Sequence, residues 1–244
     1  MKQNRTDWYG AADGPAPQPC QLETVLYSTV MEQDAKRSCG RREARKQDRR
    51  LTIMATARRM FLENGYATTS MSAIAAELGG SKATLWNYFP SKEELFDAVL
   101  DDATAVYRRQ LTDLLQPTPD LAATVLAFTR SFITKITSLE AVQLHRLVAT
   151  EAARSPEVGR IFSRVPQRTR QLLAEFFAAA MAAGQLRQAD PADAANVVTY
   201  LCMGLQQRML WGGAAPSAAE IEAGAQTATE VFLRAYAPSG TGTA

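Results

Sequence analysis

A single histidine, His145, stands in 244 residues. That leaves histidine-based acid–base catalysis and histidine-rich metal sites almost no raw material. Cysteine is nearly as scarce: Cys20, Cys39 and Cys202 are widely spaced, odd in number and never form a CxxC pair. Neither a disulfide framework nor a zinc site is expected, and a reducing cytoplasm is the compartment this usage implies. No run approaches the roughly 18–20 apolar residues of a membrane span. The N-terminus lacks the apolar segment of a secretory signal. There is no Gly-rich phosphate loop, no GxSxG and no His-Glu-x-x-His, so the chain predicts no catalytic residue, no metal and no cofactor, and does not read as an enzyme. Strand-like alternation is missing too, which points to an all-α fold.

Net charge is also small, +2 from 27 Lys+Arg and 25 Asp+Glu, but it is unevenly placed. Residues 1–35 carry two basic and five acidic side chains, residues 36–110 fourteen and nine, and residues 111–244 eleven of each. The densest positive run is Lys36, Arg37, Arg41, Arg42, Arg45, Lys46, Arg49 and Arg50. Such a run is either a handle for a polyanion or a solvated helix face.

Residues 1–46 read as a disordered extension with a basic arm, its first thirty residues carrying Gly10, Gly14, Pro15, Pro17 and Pro19. Met31 is an alternative start. From residue 47, Ile53, Ala57, Met60 and Phe61 fall on one helical face that ends at Asn64-Gly65, where glycine suits a left-handed cap. Ser70 is placed to cap a short helix carrying Ile74 and Leu78, and Gly79-Gly80 break it. Ser81 opens a second short helix with Leu85 and Phe89 four apart, and Ser91 opens a third that runs to about Leu115. Beyond Pro117, helices are expected near 120–137, 140–154, 167–183, 191–211 and 217–236, with a short turn over 156–164. The domains read as a helix-turn-helix over 47–95, a helical bundle over 96–237 and a disordered tail over 238–244.

Two short helices, a glycine turn and the skeleton Ile74, Leu78, Leu85 and Phe89 meet the needs of a helix-turn-helix, whose second helix lies in the major groove. That helix offers Lys82 and Asn87, side chains suited to guanine and adenine. On these residues alone an ordinary helical hairpin is an equal reading.

The text from Ala57 to Leu100, MFLENGYATTSMSAIAAELGGSKATLWNYFPSKEELFDAVL after its first three residues, resembles the N-terminal domain of the TetR/AcrR family of bacterial transcriptional regulators. The shared features come in the family's order: Phe, Gly-Tyr, a Thr/Ser pair, Ile-Ala, Ser-Lys, Thr-Leu, Tyr-Phe and Ser-Lys-Glu. Residues 140–211, with HRLVATEAARSPEVGRIF and an Asp-Pro-Ala-Asp helix start, resemble the C-terminal domain of AcrR/AefR-like members. Trp86 departs from the family's usual Tyr and Gly80 from its usual Val. The second departure predicts a loss of roughly 1.5–3 kcal/mol of side-chain burial at the turn.

The resemblance implies a double-stranded DNA operator as partner. Lys82, Ala83, Thr84, Asn87 and Tyr88 would face bases or groove. Ser70, Ser81, Trp86, Tyr88 and Lys92 would hold or flank phosphates, and Arg45 and Arg49 would extend the contact from the arm. It further implies a homodimer built from the last two helices through Val197, Leu201, Leu205, Ile221 and Phe232. A cavity lined by Phe128, Phe132, His145, Phe176, Met203 and Trp211 would take a small hydrophobic or amphipathic effector. The expected function is a ligand-released repressor on a palindromic operator, with an efflux operon as candidate target. The alternatives are an activator and an effector-independent regulator working through a protein partner.

Overall fold

Serine and aspartate set the helix starts. The computed structural model describes residues 21–238, with side chains from residue 43 onward. The described residues form ten helices and no strand. These are α1 (Gln21–Asn64), α2 (Met71–Glu77), α3 (Lys82–Tyr88), α4 (Lys92–Leu114), α5 (Leu121–Ile136), α6 (Leu139–Ala152), α7 (Pro156–Ala182), α8 (Pro191–Leu201), α9 (Gly204–Leu210) and α10 (Ala218–Tyr236). Ser70, Ser81, Ser91, Asp120, Ser138 and Ser217 each accept the backbone N–H three residues on, pairing donors that have no intrahelical partner. Asp190 caps α8 and is followed by Pro191 at the first helical position, as its sequence predicts.

Three boundaries differ from expectation. Helix α1 begins at Gln21 rather than near residue 47. From residue 20 to 89 the chain has no proline, and Gln, Glu, Leu, Ala, Lys and Arg dominate, so local propensity favours helix where composition suggested disorder. The expected disorder of residues 1–20, and of the tail beyond residue 238, lies outside the described residues. The turn expected over 156–164 is the start of α7, which carries Pro166 inside it. That ring removes one N–H, at the expense of the Phe162 carbonyl, and the amphipathic helix absorbs the loss. The helix expected over 191–211 is two: Cys202 N–H bonds Thr199 O at 3.2 Å and Met203 N–H bonds Tyr200 O at 3.1 Å, a tightened turn that divides α8 from α9.

The described residues divide into two units between Arg49 and Arg50. The second unit holds two cores. The smaller contains Ile53, Ala57, Phe61, Tyr66, Ile74, Leu85, Phe89, Leu95, Phe96 and Leu100, joined by Val148 of α6 and Val158 and Ile161 of α7. The larger contains Tyr107, Leu111, Phe128, Phe132, Phe177, Val198 and Phe232. The seam therefore does not fall at residue 95: α4 belongs to both cores, its first half to one and its second half to the other.

Candidate nucleic-acid interface

Helix α3 is held from behind and open in front. Leu85 and Phe89 are buried, four apart, as their spacing predicts. Lys82, Ala83, Trp86 and Asn87 are exposed, while Thr84 and Tyr88 are half-buried. Ser81 fixes the start of the helix: its Oγ accepts Thr84 N–H at 3.1 Å and shares a hydrogen bond of 2.9 Å with the Thr84 hydroxyl. Arg50 fixes the other end. Its guanidinium lies 4.3 Å from the Phe89 ring centroid and donates to Tyr88 O at 3.4 Å. Ser70 caps α2 at 3.1 Å, and its hydroxyl hydrogen remains available to a further acceptor. At the turn, Gly79 takes a φ of +62°, which only glycine adopts freely. Gly80 is exposed, so the burial expected to be lost for want of valine is not at stake there.

Lys92 is the correction. Its ammonium does not face outward to a phosphate. It donates to Tyr66 O at 2.8 Å, Thr69 O at 3.1 Å and Ala67 O at 3.5 Å, which uses all three of its hydrogens. It also lies 4.1 Å from the Tyr66 ring centroid. Burial lowers its pKa. The neighbouring Glu93 carboxylate accepts its own backbone N–H and the Tyr66 hydroxyl at 3.2 Å, and the backbone bond, followed by that hydroxyl, holds its pKa down. A carboxylate over the first turn of α4 repels a phosphate there. Lys92 is thus a latch on the chain between α1 and α2, which begins at Gly65 with φ +86° and is tied by the Thr69 hydroxyl to Gly65 O at 2.8 Å. The sequence could place Lys92 at a helix start; only the fold of residues 65–69 shows what it reaches.

Of the arm residues, Arg45 is exposed and Arg49 half-buried on α1, both in the first unit.

The effector candidates do not converge. Phe128 and Phe132 stack at 5.5 Å in the larger core, where Phe176 also lies. His145 is half-buried with its pKa lowered by burial, and meets Phe162 edge-on at 5.6 Å, against the smaller core. Met203 is half-buried at the break between α8 and α9, and Trp211 is 80% exposed at the end of α9. Phe176 borders an open groove of about 410 Å³ beside Pro117 and Gln185. Phe128, Phe132 and Phe176 are core residues.

The dimer set also needs one correction. Phe232 is 0% exposed and stacks between Phe177 and Tyr236, at 4.8 Å from each, so its surface is spent within its own chain. Val197, Leu205 and Ile221 are half-buried against the larger core, and Leu201 is exposed. Val231 on α10, which belongs to the same expected surface, is exposed, and so is Tyr200 on α8, which that surface leaves out.

Comparison with known proteins decides the lineage. Residues 53–99 match the model described as "Bacterial regulatory proteins, tetR family", and residues 123–238 match "AefR-like transcriptional repressor, C-terminal domain". The solved structure of the flavonoid-responsive regulator FrrA is 33% identical, with a TM-score of 0.66, over 79% of this chain and 100% of its own. The chain belongs to the TetR family. A TetR-family transcriptional regulator from Mesorhizobium loti has the same TM-score of 0.66 at 29% identity, over 79% of this chain and 97% of its own. The HTH-type transcriptional regulator YhgD of Bacillus subtilis is 29% identical over 70 residues, 29% of this chain and 37% of its own length. The first curated relatives are spanned over only 37–52% of their length. As a TetR-family transcriptional regulator, this protein carries its helix-turn-helix on α2 and α3 and its larger helical domain behind α4.

Proposed function

We propose that this protein is a repressor that binds a palindromic operator as a homodimer and leaves it when a small amphipathic molecule occupies the C-terminal domain. The exposed face of α3 carries this reading: Lys82, Ala83, Trp86 and Asn87 point away from a helix pinned by Leu85 and Phe89. Lys82 and Asn87 read base edges in the major groove, with Ala83 and Thr84 beside them. The hydroxyls of Ser70, Ser81 and Tyr88 and the indole N–H of Trp86 serve phosphates, which fix register. Arg45 and Arg49 add phosphate contacts from α1, and Lys92 acts from behind as a latch.

Helix-turn-helix proteins read half-sites about one turn apart, which one copy cannot span. Leu201, Tyr200 and Val231, flanked by Val197, Leu205 and Ile221, supply the surface for a second copy, and exposed Trp211 joins it. Release is a population shift. A molecule that favours a different packing of the larger core moves α4, and with it the smaller core and the spacing of the two recognition helices. The description of the matching C-terminal model as that of a repressor, and the flavonoid response in FrrA's name, support repression and a small aromatic effector. Repression of an efflux operon from the cytoplasm fits that chemistry.

Genome-wide mapping of bound DNA, followed by a screen for compounds that release it, tests this. We expect a few strongly bound sites with a two-fold symmetric sequence, released by amphipathic compounds. Symmetric sites that no compound releases would replace the effector with a protein partner; no enriched site at all would overturn the reading.

A further inference from the structure

Between α4, α5 and the first turn of α6 lies an open groove of about 530 Å³, a volume suited to a small molecule. None of the residues expected to line an effector cavity borders it. Its walls are part apolar, from Ala103, Val106 and Ala127, and Val106 is 58% exposed on its rim. Two polar groups in it are left with work to do. Tyr107 is 8% exposed and lines the groove, and its buried hydroxyl makes no hydrogen bond of ordinary geometry, although the Ser131 hydroxyl lies close enough to offset part of the rise that burial gives its pKa. A buried donor left unpaired is costly, so the site is incomplete as it stands. Lys135 is half-buried and donates once, to Ala103 O at 3.0 Å, leaving two N–H groups. It makes no ion pair among the described residues.

The other charges lining the groove are Arg130 and Glu140, and the Glu140 Oε1 is buried without a hydrogen bond. Arg130 holds Glu222 through two bonds of 2.5 and 2.8 Å, and Arg58 pairs with Glu140. Lys135 therefore stands as an uncompensated positive charge, with Arg58 facing it and reinforcing burial in lowering its pKa. Burial also raises the Tyr107 pKa, so its hydroxyl stays a donor at neutral pH.

We propose that this groove binds a small organic anion with a flat apolar body, its carboxylate or phenolate on Lys135, an acceptor atom on the Tyr107 hydroxyl, and its body against Val106 and Ala127. Tyr107 is on α4, so an occupant tied to it acts on the helix that joins the two cores. The proposal deepens the effector reading above and rests on it for any consequence at DNA, but not for binding.

Calorimetry on the full chain without DNA tests the site, using 2-naphthoate and its neutral isostere 2-naphthamide as probes. We expect saturable binding of naphthoate, one per chain, and affinity for the amide weaker by roughly tenfold or more. Lys135→Met should weaken naphthoate by about tenfold and Tyr107→Phe by roughly threefold to tenfold. Arg234→Met, which removes the same charge from the exposed end of α10, should change nothing. The acid-against-amide comparison on the unaltered protein holds even where a variant fails to fold. No saturable naphthoate binding up to about 1 mM, equal affinity for acid and amide, or unchanged affinity in a folded Lys135→Met would overturn the site. Naphthoate bound without effect on operator affinity supports the groove and severs it from the release mechanism. Operator binding intact in a protein that ignores naphthoate overturns the groove alone.

Discussion

The two cores of this protein are built on different scales. In the smaller, Phe61, Tyr66 and Phe96 form one cluster with ring centroids 4.8–5.5 Å apart, drawn from a short stretch of chain and backed by the Lys92 latch. In the larger, Phe177 of α7 stacks on Phe232 of α10, which stacks on Tyr236, and Thr129 of α5 shares a 2.9 Å hydrogen bond with Thr229 of α10. One core is drawn mainly from residues 53–100 and backs α3. The other joins residues far apart in the chain. Helix α4 contributes to both, and Val148, Val158 and Ile161 bring α6 and α7 into the first.

The largest expected effect separates the two by position rather than size. Phe96→Ala and Phe232→Ala each delete a fully buried ring and should each lower unfolding stability by about 3–5 kcal/mol. Hydrogen exchange should then divide them. Phe96→Ala should speed exchange in α2 and α3, and Phe232→Ala in α7 and α10 while α3 stays protected. Uniform acceleration in both would mean a single cooperative core.

Next comes the latch. Lys92→Met orphans three carbonyls and should cost roughly 1–3 kcal/mol of stability, toward the low end because the turn is half-exposed. The log–log salt slope of DNA binding should not change. A stable variant whose slope falls by about 0.9 would return Lys92 to the phosphates. At the reading surface the pattern reverses: Asn87→Ala should cost about 1–3 kcal/mol of discrimination at one base pair, with thermal unfolding unmoved.

The smallest effect is at the far end. Glu220 closes the capping box of α10, and the Arg208 guanidinium, then Ser217, hold its pKa down at about 2. A depressed carboxylate pKa contributes stability above the unfolded value near ~4.3 and loses it as pH falls through the folded one. Denaturation midpoints should therefore decline between about pH 4.5 and 2, and Glu220→Gln should flatten that decline.

The same difference in scale explains what could be read from the sequence. The helix-turn-helix was legible because its signals are adjacent: Ser70, Ser81 and Ser91 cap, Gly79 turns, and Leu85 and Phe89 share a face. Helical periodicity cannot say which partner an apolar face meets. Phe232 therefore looked like a contact for a second copy and is core, while Trp211 looked like a cavity wall and is exposed. The α4–α5 groove escaped because Tyr107 and Lys135 lie on different helices and no local motif joins them. The place of Lys92 at a helix start is legible in the sequence, but the carbonyls it holds lie about 25 residues earlier and no local signal links them.

The central claim is that the outward face of α3 reads DNA sequence. Selection from a random duplex library by the intact protein, repeated with Lys82→Ala/Asn87→Ala, tests it most directly. The account predicts a two-fold symmetric sequence with half-sites about 34–36 Å apart, and loss of that preference in a double variant whose melting is unchanged. Enrichment of the same sequence with the same affinity by the double variant, or no enrichment by the intact protein, would contradict it.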